Sequence, residues 1–105
     1  FGVIKCCEIV KEYAGNLPFE NMLKDRMRID AIVRNLEIIG EAAGKVPQEV
    51  RDKYPAVEWR KISDFRNVLI HEYFEIDYEI MWDIIKNKVP ELKKDIQLII
   101  EKEKQ

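Results

Sequence analysis

Between Asp25 and Lys45 the apolar residues Ile29, Ile32, Val33, Leu36, Ile39 and Ala43 follow a three-and-four spacing. An α-helix turns once every 3.6 residues, so this spacing returns each side chain to one face and predicts a helix with a buried stripe. A strand would need two-residue alternation, and no segment of the chain has it. Ile38 and Ala42 widen the stripe, so the helix is expected to pack on more than one side. Gly40 lies inside it and weakens a helix by roughly 1 kcal/mol relative to alanine. Its expected compensation is the close approach of another helix. Gly44 helps to end the element.

The same reading extends along the chain. A first helix is expected from the start to about Ala14, with Val3, Cys6, Cys7, Val10 and Tyr13 or Ala14 inward. Gly15-Asn16 stops it, since both residues tolerate a left-handed backbone. Pro18 suits the first turn of a short helix through Leu23. Another short helix covers Pro47 to Lys53 and is broken by Tyr54-Pro55. A third long helix is expected from near Glu58, carrying Trp59, Ile62, Phe65, Leu69, Ile70 and Tyr73, and ending about Phe74–Ile76. Asp77 is then an N-cap. The last element carries Tyr78, Met81, Trp82, Ile85, Val89, Leu92, Ile96 and Ile99 in one phase on both sides of Pro90, which predicts one kinked helix. The expectation is an all-α, up-and-down bundle of four long helices with short accessory helices, forming one domain over residues 1–105.

Hydrophobic residues make up 47% of the 105 and exclude a disordered chain. Lys and Arg number 18 against 20 Asp and Glu, a net charge of −2, which does not mark a general nucleic-acid binder. The clusters Lys24, Arg26, Arg28, Arg34 and Arg60, Lys61, Arg66 read first as solvated helix faces. Cys6 and Cys7 are adjacent, which suits neither a structural bridge nor, with one distant His, a zinc site. A reduced, cytoplasmic protein is expected. No apolar run approaches the ~18 residues of a membrane span. The chain begins at Phe1, so residues are expected to be missing from its front.

His71 is the only histidine, and so the residue best suited to trade protons near neutral pH. It stands in Arg66-Asn67-Val68-Leu69-Ile70-His71-Glu72-Tyr73. On an ideal helix Asn67 and His71 share a face, as do Arg66 and Tyr73, while Arg66 and His71 lie about 140° apart. To act on one substrate atom, that pair needs a distorted helix, curling side chains or a second chain completing the site. The third option points to a symmetric dimer. The set suits RNA cleavage without a metal. His71 would take the 2′-hydroxyl proton or give one to the leaving 5′-oxygen. Arg66 would stabilise the phosphorane-like charge. Asn67 would orient the imidazole or bind phosphate, and Tyr73 would stack on a base or position the phosphate. Such a reaction leaves a 2′,3′-cyclic phosphate.

Each residue also has a plainer reading. A lone His late in a helix suits the helix C-terminus, Arg66 suits an ion pair with Asp64 or Glu72, and Tyr73 on an apolar stripe suits a core with a hydroxyl tip. A dimetal carboxylate site needs two Glu-x-x-His pairs, so Glu37 and Glu41 read as ion-pairing residues. No Gly-rich phosphate loop is present, and Ser63, the only serine, stands in no nucleophile elbow.

The octapeptide Arg66–Tyr73 resembles the Arg-x4-His-x-Tyr motif of HepT-like toxins, a branch of the HEPN superfamily. Arg34-Asn35-Leu36-Glu37-Ile38-Ile39-Gly40-Glu41-Ala42-Ala43 resembles that family's second-helix stretch, and Tyr54-Pro55 with Trp59-Arg60 resembles its lead-in to the motif. Trp82-Asp83-Ile84-Ile85-Lys86-Asn87 followed by Val89-Pro90-Glu91-Leu92 resembles its last helix. A short N-terminal part of the family's first helix is lacking. The resemblance implies a HEPN-like bundle that forms a homodimer, with both copies of the motif in a cleft at the two-fold axis. It implies a toxin that is a metal-independent endoribonuclease without a cofactor, with Arg66 and His71 catalytic and Asn67 and Tyr73 supporting. The implied partner is a nucleotidyltransferase antitoxin that silences the toxin by transferring AMP to Tyr73. Arg34 and Glu37 are possible supports behind the site. The alternative is a non-catalytic nucleotide- or partner-binding module; a structural dimer with the motif as interface packing is a third.

Overall fold

The computed structural model describes residues 2–65, 67 and 76–104. Helix α1 spans Gly2–Ala14, α2 Phe19–Met22, α3 Arg26–Gly44, α4 Gln48–Lys53 and α5 Trp59–Ser63. Helix α6 spans Tyr78–Asp83 and α7 Val89–Glu103, joined by a π-helical turn over Ile84–Lys88. Helix α1 packs against α3, α5 against α3, and α7 against α1.

The inner face of α1 is Val3, Cys6, Cys7, Val10 and Ala14. Ala14 takes the last inward place, and Tyr13 points out. Gly15 then adopts φ +53°, and its N–H donates to the Lys11 carbonyl at 2.8 Å. This left-handed residue ends α1 at the expected place and turns the chain towards α3.

Helix α3 carries the expected stripe: Ile29, Ile32, Val33, Leu36, Ile39 and Ala43 are buried. Asp25 caps its N-terminus, one carboxylate oxygen accepting the Arg28 backbone N–H at 3.1 Å and the other the Arg28 Nε at 3.0 Å. Those bonds hold the Asp25 carboxyl below the usual carboxylate range. At the other end Arg51, from α4, donates through Nη2 to the Ala43 carbonyl at 2.7 Å and through Nε to the Val46 carbonyl at 3.1 Å. A cation thus satisfies carbonyls that the helix end leaves open.

The described residues depart from the expected four long helices in two places. The third long helix is interrupted: α5 ends at Ser63, and Asp64 is a turn with φ −95° and ψ 9°. Ser63 Oγ donates to the Arg60 carbonyl at 2.9 Å, drawing on the same acceptor as the backbone. The Asp64 N–H is shared between the carbonyls of Arg60 and Lys61 at 3.1 and 3.3 Å, which tightens the turn. Phe65 and Asn67 are helical again. The further course expected for this helix, with Leu69, Ile70 and Tyr73, falls outside the described residues.

The last element does continue past Pro90 as expected, but not as a simple kink. Proline has no N–H and its ring clashes with the carbonyl four residues back, here that of Lys86. The turn before it widens, with the Val89 N–H reaching the Ile84 carbonyl. Ile84, Ile85, Val89 and Leu92 stay buried through the widened turn. Asp77 caps α6 by accepting the Ile80 N–H at 3.0 Å. No helix among the described residues is long and apolar enough to cross a membrane.

Candidate functional site

The segment leading into Arg66–Tyr73 is held by α3. A Cβ placed on Gly40 would lie 3.2 Å from the Ile62 carbonyl oxygen and 3.3 Å from that of Ser63. One turn on, a Cβ at Gly44 would meet the Ser63 Cβ at 3.9 Å. The two glycines therefore form a seat without side chains, into which the backbone of α5 settles. This is the close helix approach expected to compensate Gly40.

Three side chains fix α5 in that seat. Trp59, Ile62 and Phe65 are buried. The Trp59 indole Nε1 donates to the Tyr54 carbonyl at 3.0 Å, so the polar edge of the ring is satisfied as its body is buried. Across the other side of α5, Glu58 pairs with Lys61 at 2.7 Å and with Lys88 of the π-helical turn at 3.6 Å. The Lys61 hydrogen bond, with the charges of Lys61 and Lys88, keeps the Glu58 carboxyl below the usual range and raises Lys61. Nothing in the periodicity announces the Glu58–Lys88 pair, because its members are thirty positions apart.

Of the sequence-predicted site residues, Arg66, His71 and Tyr73 lie outside the described residues. Asn67 is exposed, and its Nδ2 donates to a carboxylate oxygen of Asp64. The ion pair expected for Arg66 with Asp64 or Glu72 lies outside the described residues. Arg34 and Glu37 stand one turn apart on α3 with Nη1 and Oε2 3.9 Å apart, the arginine side chain 63% exposed and the glutamate 25%. Glu37 lies one turn before Gly40, on the helix that seats α5. The pair is accordingly placed on the scaffold of the motif rather than in the core.

The comparisons with known proteins bear on this arrangement. The family model described as Ribonuclease HepT-like matches residues 3–99. A Caldanaerobacter subterraneus protein named "Putative RNase" is 42% identical over 102 residues, 97% of this chain and 91% of that protein. A Methanocaldococcus jannaschii protein of the same description is 39% identical over 95% of this chain and 83% of its own length. A Thermococcus cleftensis protein named "Probable ribonuclease HepT" is 34% identical over 87% of this chain and 83% of its own length. No solved structure matches the chain. With the family model covering all but the chain's ends, and relatives aligned along most of their own length, this chain belongs to the HepT-like ribonuclease family.

Proposed function

We propose that this chain is a metal-independent endoribonuclease, the toxin of a toxin–antitoxin pair, acting as a homodimer in the cytoplasm. The observation that carries the reading is the family match over residues 3–99 together with an uninterrupted Arg66-x4-His71-x-Tyr73 in this sequence. The named ribonucleases among its relatives support RNA as the substrate class.

In this reading a ribose 2′-oxygen attacks the adjacent phosphorus while the bond to the 5′-oxygen breaks. His71 takes the 2′-hydroxyl proton or supplies the one that the 5′-oxygen needs. Such cleavage calls for both a base and an acid, and a chain with one imidazole offers both only if a second copy contributes. A cleft on the two-fold axis is also one way to bring together Arg66 and His71, which lie ~140° apart on one straight helix. Arg66 offers a fixed fork of donors to the phosphorane-like oxygens. Asn67 and Tyr73 place the phosphate and base, and the Arg34–Glu37 pair supports the helix behind them. A net charge of −2 is compatible with an RNA substrate when positive charge gathers at the cleft, since local field follows distribution rather than sum.

The partner is a nucleotidyltransferase antitoxin that transfers AMP from ATP to the Tyr73 oxygen, which loses its proton as pyrophosphate leaves. The adduct adds a phosphate charge and bulk where the RNA phosphate would sit, and so closes the cleft.

The test is end-group analysis of RNA cut by the purified protein in EDTA. The reading predicts 2′,3′-cyclic phosphate and 5′-hydroxyl ends. Cleavage that needs added Mg²⁺ and leaves 3′-hydroxyl ends would contradict it.

A further inference from the structure

Between α5 and the α6–α7 element runs an open groove of about 470 Å³. Ile62, Phe65, Ile84 and Leu92 form its apolar floor. From Ile80 to Asp95 its wall follows sixteen residues of helix, a length of about 22 Å. That is the shape of a trough for a row of side chains rather than a cup for one compact ligand.

The rim sets the chemistry of an occupant. Among the described lining residues there are five carboxylates and three cations, and two of those cations, Lys61 and Lys88, are engaged by Glu58. Glu91 and Asp95 stand one turn apart on α7, an unfavourable like-charge spacing on a helix, and neither has an ion-pair partner among the described residues. Burial first, and the Glu91 charge second, push the Asp95 carboxyl above the usual carboxylate range. A rim of this sign repels RNA phosphates. It equally repels the same face of a second copy. What it complements is a cation beside an apolar anchor.

We propose that this groove docks a helix of a protein partner, with apolar side chains on the floor and Lys or Arg against Glu91 and Asp95. The inference is independent of the ribonuclease reading, because it uses none of Arg66, His71 or Tyr73. Helix-in-groove recognition of this kind rests on anchors spaced three and four residues apart.

The test uses the full chain, labelled with ¹⁵N, and two synthetic amphipathic peptides about four turns long, one of Leu and Lys and one of Leu and Glu. Titration with the Leu/Lys peptide is expected to shift amide signals of residues 60–65 and 80–95 and to leave those of the outer face of α3 unmoved. The Leu/Glu peptide is expected to bind at least roughly tenfold more weakly. Glu91→Gln with Asp95→Asn should weaken the Leu/Lys complex, and Glu91→Lys with Asp95→Lys should abolish it, both with spectra as dispersed as the wild type. Equal binding of the two peptides, or shifts spread over the whole surface, would overturn the proposal. So would groove signals that respond to a short RNA, or to protein concentration alone, in preference to the peptide.

Discussion

Gly40 and Ile62 meet backbone to backbone, with only 3.2 Å between the position of a glycine Cβ and the Ile62 carbonyl oxygen. The contact joins the centre of α3 to the segment that leads into Arg66–Tyr73. Any side chain at position 40 would move α5, and with it the start of the motif.

The first prediction follows from that contact. Gly40→Ala gains about 1 kcal/mol of helix propensity but overpacks a backbone interface, which costs roughly 1–3 kcal/mol. A net loss of about 1 kcal/mol in chemical denaturation is expected. RNA cleavage should fall by more than the folded fraction does, because the displaced element leads into the motif. A more stable variant with full cleavage would remove the contact from the account.

Cys7 supplies a stability test with a definite sign. Burial, reinforced by the neighbouring Cys6, pushes its thiol up to about 12 from an ordinary 9.0. The folded state therefore holds the proton at pH values where the unfolded state has lost it. Its contribution is full below 9.0 and falls as pH rises from there towards 12. The limiting slope is about 1.4 kcal/mol per pH unit. Lys53 and Lys61 also titrate at high pH. The quantity to measure is thus the difference between wild type and Cys7→Ala by urea denaturation. The gap between them should narrow as pH is raised from 8 towards 10.5; a gap independent of pH would contradict the buried thiol.

Much of this architecture was legible because it is local. The stripe on α3, the Gly15 stop and the Asp25 and Asp77 caps each depend on neighbours within a turn or two. Gly40 could be read as a contact point because a glycine mid-helix needs a reason. The break at Asp64 escaped notice, since Trp59, Ile62 and Phe65 keep helical phase across it and the cause is a serine hydroxyl bonding a carbonyl three residues back. Long-range polar ties leave no periodicity at all. Glu103 accepts from Lys53 Nζ at 2.7 Å and from Tyr54 hydroxyl at 2.8 Å, pinning the end of α7 to α4 across some fifty residues. At the candidate site, spacing put Asn67 on one face with His71, which lies outside the described residues, and gave no sign that Asn67 also donates to Asp64, three positions back.

Tyr73 carries the regulatory prediction. Incubation with the cognate nucleotidyltransferase and ATP should add one AMP mass per chain and abolish RNA cleavage. Tyr73→Phe should accept no label and stay active in the presence of the antitoxin. Persistent labelling of Tyr73→Phe would assign the modification elsewhere.

Asn67 and Asp64 can be separated from the chemistry by a mutation of one partner. Asp64→Asn keeps a carbonyl acceptor for the Asn67 amide and removes a negative charge beside Arg66 in sequence. Cleavage should be kept or increased, read as initial rate on one RNA at fixed salt. Loss of cleavage on the scale of losing a catalytic base, roughly 100-fold or more, would make Asp64 a participant in the chemistry.

The most direct test compares wild type with His71→Ala on total cellular RNA in EDTA, after both are shown by ultracentrifugation and circular dichroism to be folded to the same state. Cleavage by the wild type, with cyclic-phosphate ends and none above background from His71→Ala, is the predicted result. Equal cleavage by both would take His71 out of the chemistry, and no cleavage by either folded protein would contradict the ribonuclease reading and leave a binding module in its place.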